Sequence, residues 1–257
     1  DPMKIDINAL APRMLADYDA HNPGTVFGEG LRLTMPDAWA LQSAVTTLRE
    51  QRGERVIGYK IGMVNEASQR STGLPHPAWG RLWDTEQYVD GVRLQKNQFA
   101  NIGIEGEFAV TLGRDLAPGM NMQQLANSIA EVFPVIELHN VVFRGDAPRG
   151  HELIANNAIH CGVVRPESVA LNDVDSTTDL AVYLDERKVD AWQGIAWPGD
   201  VLKSVGWLVS KLASIDIALV QGDTILTGAL GPPLPLGEVA HVKITSSQFG
   251  DVQAWFD

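Results

Sequence analysis

A chain of 257 residues, 45% hydrophobic and 20% charged, has material for one large domain, or one domain with an appendage, and reads as an ordinary globular protein. Its formal net charge of -12 argues against nucleic acid and against an anionic membrane surface, both of which need a basic footprint. A single cysteine, Cys161, excludes an internal disulfide and points to a reducing, cytoplasmic compartment.

Cys161 lies in the apolar stretch IHCGVV, where a small buried residue is expected rather than a nucleophile. No run of about 18 apolar residues marks a membrane span. Nothing near the N-terminus has the pattern of a signal peptide, and Asp1-Pro2 before Met3 reads as an expression scar.

Residues 1–55 read as an N-terminal helical layer, with helical periodicity over 5–20 and 36–52 and the loop HNPGTVFGEG between. In the second helix Ala38, Leu41, Val45 and Leu48 share a face, and Pro36-Asp37 is a start signal. From residue 56 to 257 the texture is short strands and turns. Strands are expected at 55–62, 91–95, 103–113, 132–139, 158–164, 179–185, 214–220, 223–228, 238–246 and 251–256. Helices are expected at 64–71, 121–132 and 199–213, the last with a core-facing stripe of Val201, Val205, Leu208 and Leu212. Strands and helices do not alternate regularly, so the layout is α+β, a mixed and strongly bent β core with a few covering helices, rather than doubly wound.

Three segments carry chemistry. In Ile104-Glu105-Gly106-Glu107-Phe108-Ala109-Val110-Thr111-Leu112, strand alternation puts Ile104, Phe108, Val110 and Leu112 on one face. It puts Glu105 and Glu107 on the other, about 7 Å apart. Gly106 between them points to close approach of something to the backbone. Paired like charges call for a cation, but this segment alone does not separate that from a solvated face of an edge strand. Glu137 stands in the otherwise apolar Val132-Phe133-Pro134-Val135-Ile136-Glu137-Leu138-His139, where a carboxylate must be ion-paired, protonated or bound to metal. Three glutamates on strands suit a hard ion, Mg²⁺ or Mn²⁺, with water or substrate completing the shell. His139 is on the same side as Glu137 and is a further candidate near the strand's end. Lys60, in the glycine-flanked apolar strand Val56–Gly62, either snorkels to the surface or serves as a cation that holds a substrate carboxylate or moves a proton at a lowered pKa.

These residues resemble a known family. GYKIG at 58–62, LPHPAWGRLWD at 74–84, IEGEFAVTLGRDL at 104–116, FPVIE at 133–137 and GDTILTGALGP at 222–232 occur in the order found in the fumarylacetoacetate hydrolase superfamily. Within it they resemble the 2-keto-4-pentenoate hydratase and 4-oxalocrotonate decarboxylase branch, from about residue 36 to the C-terminus. The resemblance implies a twisted β roll with a smaller helical part, assembled into homo-oligomers. It implies metal ligands Glu105, Glu107 and Glu137, a substrate or proton role for Lys60 and an acid/base role for Asp84. Asn157, Thr227 and Gly228 would line the pocket. The implied substrate is a small 2-oxo acid that chelates Mg²⁺ through its carboxylate and 2-oxo group, with an aldolase as pathway partner.

The implied reaction is hydration of a 2-hydroxy-2,4-dienoate, or its 2-oxo-3-enoate tautomer, in aromatic catabolism. Its rivals are decarboxylation of a vinylogous 2-oxo diacid, C–C bond hydrolysis with His151 or His160 as base, and binding without turnover. The chain departs from the branch around the substrate rather than the metal. Ala78 replaces an aspartate common in hydratases, Val142 an arginine and Asn156 an acid, and Ala196-Trp197-Pro198-Gly199-Asp200 is reworked.

Overall fold

The computed structural model describes residues 5–21, 31–140, 150–167, 169 and 175–257. In chain order the elements are α1 (Ile7–Asp19), α2 (Met35–Gln51), β1 (Val56–Gly62), α3 (Glu66–Thr72), β2 (Ala78–Trp83), β3 (Gln87–Val89), β4 (Val92–Leu94) and β5 (Ile102–Leu112). They continue with α4 (Met122–Asn127), β6 (Ile129–Asn140), α5 (Gly150–Ala155), β7 (His160–Arg165), β8 (Thr177–Leu184) and β9 (Arg187–Ala196). The chain closes with α6 (Gly199–Ala213), β10 (Thr224–Leu226), β11 (Leu234–Pro235), β12 (His241–Ser246) and β13 (Gly250–Phe256).

Two sheets form the α+β core. The larger runs β2-β1-β10-β5-β6-β7-β3, with β11 paired to β5, and curls into a half-barrel. The smaller runs β4-β13-β12-β8-β9. Alternation along β5 decides how they meet. Ile104, Phe108, Val110 and Leu112 are buried with Val182, Ile244 and Val252 of the smaller sheet. Gly106 lies on that face, and a Cβ there would come 2.7 Å from Ile244 Cδ1 and 3.0 Å from Val182 Cγ2. The close approach expected at Gly106 is therefore the second sheet. The opposite face carries Glu105 and Glu107.

α6 covers the core with the expected stripe, Val201, Val205, Leu208 and Leu212 being buried. α2 starts on a capping box in which the Thr34 side chain accepts from the Asp37 amide and Asp37 accepts from the Thr34 amide, with Pro36 in its first turn. Ala38 and Leu41 of α2 are buried together with Ala11 and Met14 of α1 and Leu153 and Ile154 of α5. Among the described residues no helix is long and apolar enough to cross a membrane.

An ionic cluster ties the helical layer to the end of β2. Glu54 accepts from Arg49 at 2.7 and 3.1 Å, from Arg52 at 2.6 Å and from Thr85 at 2.5 Å. Tyr18 donates to Glu86, which Arg49 also approaches at 3.2 Å. Burial pushes the Glu54 carboxyl up, but the hydrogen bonds from Arg49, Thr85 and Arg52 outweigh it and bring it from 4.5 to about 2. A depressed carboxyl stabilises the fold above its unfolded value and loses that contribution as pH falls toward its folded value. Arg52 and Asp19 at the rim are exposed, so screening reduces the effect. Glu54→Gln should cost roughly 1–2 kcal/mol at pH 7 by urea unfolding. Its gap from the parent protein should close between pH 4.5 and about 2.

Several expectations are corrected. Residues 214–220 form a turn and extended segment rather than a strand, because no strand pairs with them and Ile215 and Val220 are exposed. The helix expected over 121–132 ends at Asn127, and Ile129–Asn140 is one long strand instead. β2, β3, β9, β11 and α5 were not foreseen. The loop expected at 21–30 lies, beyond His21, outside the described residues.

Candidate active site

The site is built by the pairing of β5 with β6. Their antiparallel register puts Glu105 directly opposite Glu137, and Gly103 opposite His139. On the other side of β6, β7 places His160 opposite His139. β1, joined to β5 through β10, brings Lys60 to the same face. Lys60 Nζ lies 3.3 Å from Glu137 Oε1 and donates to the Ala158 carbonyl, also at 3.3 Å. The snorkelling alternative is removed, since Lys60 is 3% exposed.

Glu137 is held from three sides. His160 Nδ1 is 2.8 Å from its Oε2, and His139 Nε2 is 2.9 Å from the Oε1 that Lys60 also approaches. His139 Nδ1 lies 3.2 Å from Glu105 Oε1, yet makes no hydrogen bond among the described residues. Ligand atoms of Glu105, Glu137 and His139 fall within 4.8 Å of one another. Glu107 is outside that group. Its Oε1 accepts from the Gly228 amide at 3.2 Å, while its buried Oε2 has no hydrogen-bond partner among the described residues.

Electrostatics divide the carboxylates. Burial first, then the neighbouring glutamates, push Glu107 well above the usual carboxylate range. Burial also raises Glu105, with His139 and Lys60 opposing it. Burial acts the same way on Glu137, but Lys60 and then His139 outweigh it and hold that group well below the usual range. Burial works against the charge on Lys60, but Glu137, Glu105 and Glu107 outweigh it and raise its pKa. The lowered lysine pKa considered from sequence is therefore corrected: three carboxylates keep this ammonium protonated.

Two cavities open on this face. One of about 490 Å³ is lined by Lys60, Glu105, His139, Ala158, Leu230 and residues of α3 such as Ser68. The other, about 640 Å³, is lined by Glu107, Thr227, Gly228, Trp192, Lys203 and Trp207. Val64, Asn65 and Leu230 border both. Thr227 and Gly228 thus sit beside Glu107. The Thr227 hydroxyl donates to the Phe108 carbonyl at 2.9 Å, and Gly228 has φ +110 with Val64 packed where a Cβ would be.

The side chains of Asp84 and Asn157 stand outside these two cavities. Asp84 accepts from the Arg55 amide at 2.9 Å and its guanidinium at 3.4 Å, and lines neither cavity. It lies four residues beyond Gly80, the partner of Lys60 in β2, or about 13 Å along the strand. The side chain of Asn157 also lines neither. It clamps β2, accepting from the Arg81 amide at 2.6 Å and donating to the Arg81 carbonyl at 2.9 Å. Asn157, Ala158 and Ile159 all have left-handed φ of 51–57°. That strain costs on the order of 1 kcal/mol or more per residue. It turns the Ala158 carbonyl toward Lys60.

His160 was raised only as a hydrolytic base and is instead a partner of Glu137. His151 Nδ1 is engaged with the Leu33 carbonyl at 2.7 Å. Asn156 bonds the Glu152 carbonyl at 3.2 Å, and Val142 lies outside the described residues. Ala78 is buried against the helical layer. Burial pushes the Cys161 thiol well up, as befits an inert core residue.

The donor set fits a divalent ion. Glu105 and Glu137 offer oxygens at mutual reach, and the buried Glu107 Oε2 and His139 Nδ1 lack hydrogen-bond partners among the described residues. No protein-family model matches the chain. A 2-keto-4-pentenoate hydratase from Burkholderia vietnamiensis is 30% identical over 259 residues, covering 98% of each chain. A 4-oxalocrotonate decarboxylase from Pseudomonas putida is 25% identical, covering 94% of this chain and 92% of its own. The structure of 4-oxalocrotonate decarboxylase from Pseudomonas putida G7, complexed with magnesium and adipate, shares the fold with a TM-score of 0.87. It is 24% identical and covers 98% of this chain and 97% of its own. The chain belongs to the 2-keto-4-pentenoate hydratase family.

Proposed function

We propose that this chain is a metal-dependent lyase that hydrates a 2-hydroxy-2,4-dienoate, or its 2-oxo-3-enoate tautomer, to a 4-hydroxy-2-oxo acid. The observation that carries the reading is the pairing of Glu105 with Glu137 across two strands, beside a buried ammonium, at the wall of a 490 Å³ cavity. Glu105 and Glu137 would hold Mg²⁺ or Mn²⁺, with Glu107 on the same strand face. When bound, the ion supplies Lewis-acid polarisation of the 2-oxo group and a template for the adjoining carboxylate.

The chain's own residues do the rest. Lys60, held protonated, faces the cavity as the cation for an anionic substrate and can donate a proton toward the carbon chain. Its ammonium is fixed by Glu137 and the Ala158 carbonyl, so the donor is already oriented. Met63, Val64, Leu153, Ile159 and Leu230 line the cavity with apolar surface that excludes bulk water. The Gly228 amide holds Glu107 Oε1, and the Thr227 hydroxyl ties that turn to the neighbouring Phe108 carbonyl.

Decarboxylation of a vinylogous 2-oxo diacid is the second reading, favoured by Ala78, which offers no carboxylate where many hydratases carry one. Hydrolysis is disfavoured because His151 is bound to the Leu33 carbonyl and His160 to Glu137, and neither lines either cavity. Homo-oligomeric assembly, and an aldolase that consumes the 4-hydroxy-2-oxo acid, belong to the same reading. The test is incubation of the Mg²⁺- or Mn²⁺-loaded protein with 2-hydroxypenta-2,4-dienoate. Loss of diene absorbance without carbon dioxide is expected. Carbon dioxide release from a 2-hydroxymuconate-type diacid with no reaction of the monoacid would establish the second reading instead.

A further inference from the structure

We propose that the 640 Å³ cavity beside Glu107 is the compartment for the substrate's tail, and that the tail it selects is bulky and apolar or aromatic, in preference to a bare vinyl group or a second carboxylate. The inference rests on the proposed function above and names the substrate class within it.

Position joins the two cavities. Glu105 lines the 490 Å³ cavity and Glu107 the 640 Å³ one, two residues apart on the same face of β5. Val64, Asn65 and Leu230 border both. Gly231 lines the first, and a Cβ there would come 2.9 Å from Cζ2 of Trp192, which lines the second. A 2-oxo acid whose carboxylate faces Lys60 therefore has a second compartment next to its carbon chain. That compartment is in the size range of sites for drug-sized ligands, far beyond what the last carbons of a pentadienoate fill.

The walls select the tail. α6 turns Asp200, Lys203, Ser204 and Trp207 to the cavity, at the spacing of one helix face. The smaller sheet supplies Leu180 from β8 and, paired with it across the ladder, Trp192 from β9. Phe108, Leu180, Ile195 and Val201 are buried, and the two indoles are half-buried against the same core. Two indoles and a phenyl ring offer a flat apolar tail stacking and edge contacts. A distal carboxylate finds little to hold it. Among the described residues no arginine lines the cavity, and its one cation, Lys203, is exposed and outnumbered by Glu66 and Asp200. The first cavity, by contrast, meets the substrate's own carboxylate with the buried Lys60.

The test compares kcat/KM for three acids on the whole Mg²⁺- or Mn²⁺-loaded chain, followed by loss of diene absorbance. They are 2-hydroxypenta-2,4-dienoate, 2-hydroxy-6-phenylhexa-2,4-dienoate and 2-hydroxyhepta-2,4-diene-1,7-dioate. The phenyl-tailed acid should exceed each of the others by at least about 10-fold. In Trp192→Ala and Trp207→Ala the ratio of phenyl-tailed to unsubstituted kcat/KM should fall at least about 5-fold. Should a tryptophan variant fail to fold, the three acids on the parent chain decide the question alone. An unsubstituted acid turned over as well as the phenyl-tailed one overturns the proposal and leaves the proposed function standing. A phenyl advantage that persists in both variants does the same, as does a preference for the diacid that Lys203→Met abolishes. No turnover of any of the three by protein that binds the ion overturns the proposed function itself.

Discussion

Glu137→Gln is expected to reduce turnover by at least about 100-fold and to cost roughly 3 kcal/mol of stability, because it removes the nearest counter-charge of a buried lysine. Lys60 Nζ sits 3.3 Å from Glu137 Oε1, and both residues are at most 3% exposed. Glutamine keeps the shape and one acceptor, so the loss is electrostatic rather than a cavity. Breaking a buried pair from one side leaves a charge that the interior cannot solvate. Two readouts separate the structural part from the functional one. Adding Lys60→Met should restore much of the lost stability, since both charges are then gone, while turnover stays absent. If the double variant were no more stable than Glu137→Gln, the pair would not be the source of the cost. Urea unfolding of the four proteins, with the dienoate assay alongside, decides it.

The second large effect lies two residues from the lysine. Gly58 pairs with Thr224 across β1 and β10, and a Cβ at Gly58 would run into the Thr224 carbonyl oxygen, with Thr224 C at 2.7 Å and N at 2.8 Å. These are backbone atoms and cannot swing aside. Gly58→Ala should therefore part the two strands, costing about 3 kcal/mol, at the top of the usual range for overpacking. Because Lys60 pairs with Leu226 on the same ladder, its ammonium should shift from Glu137 and turnover should fall as well. Gly199→Ala, which meets nothing within 4 Å, is the control and should be neutral within about 0.5 kcal/mol. Equal stability of the two variants would show that β1 and β10 can absorb the extra atom.

Much of the site could be read from the chain because it is built on strand alternation. Glu105 and Glu107 fall on one face by a period of two, and the apolar residues of that period share the other, which the structure packs against the second sheet. Glu137 was marked out by its apolar neighbours alone, and is 0% exposed. The same period put His139 beside Glu137, but only the β5–β6 register shows that its ring reaches Glu105. His160 could not be found this way. Its contact with Glu137 depends on β7 pairing with β6, across a segment of sequence with no local signal of that register.

The differences between sequence and structure have equally local causes. Asp84 resembled a site acid from its motif, but β2 is fully buried along its length and carries Asp84 to the end remote from Lys60. β9 was missed because half of it is exposed and it shows no apolar run, with only Ile195 buried. Residues 214–220 alternate like a strand, yet their apolar side chains at 215 and 220 face outward and no neighbour offers a ladder. Pairing partners are distant in sequence, and a periodicity names a face without naming what covers it.

The proposed function depends on Glu105 and Glu137 holding a divalent ion beside Lys60. Anomalous diffraction from crystals of this chain soaked with Mn²⁺ and oxalate tests it most directly. One strong peak is expected about 2.0–2.3 Å from oxygens of both glutamates, with oxalate bound to it on the side of the 490 Å³ cavity. An ordered Glu105–Glu137 pair with no anomalous peak between them, at a Mn²⁺ concentration that supports turnover, would contradict it.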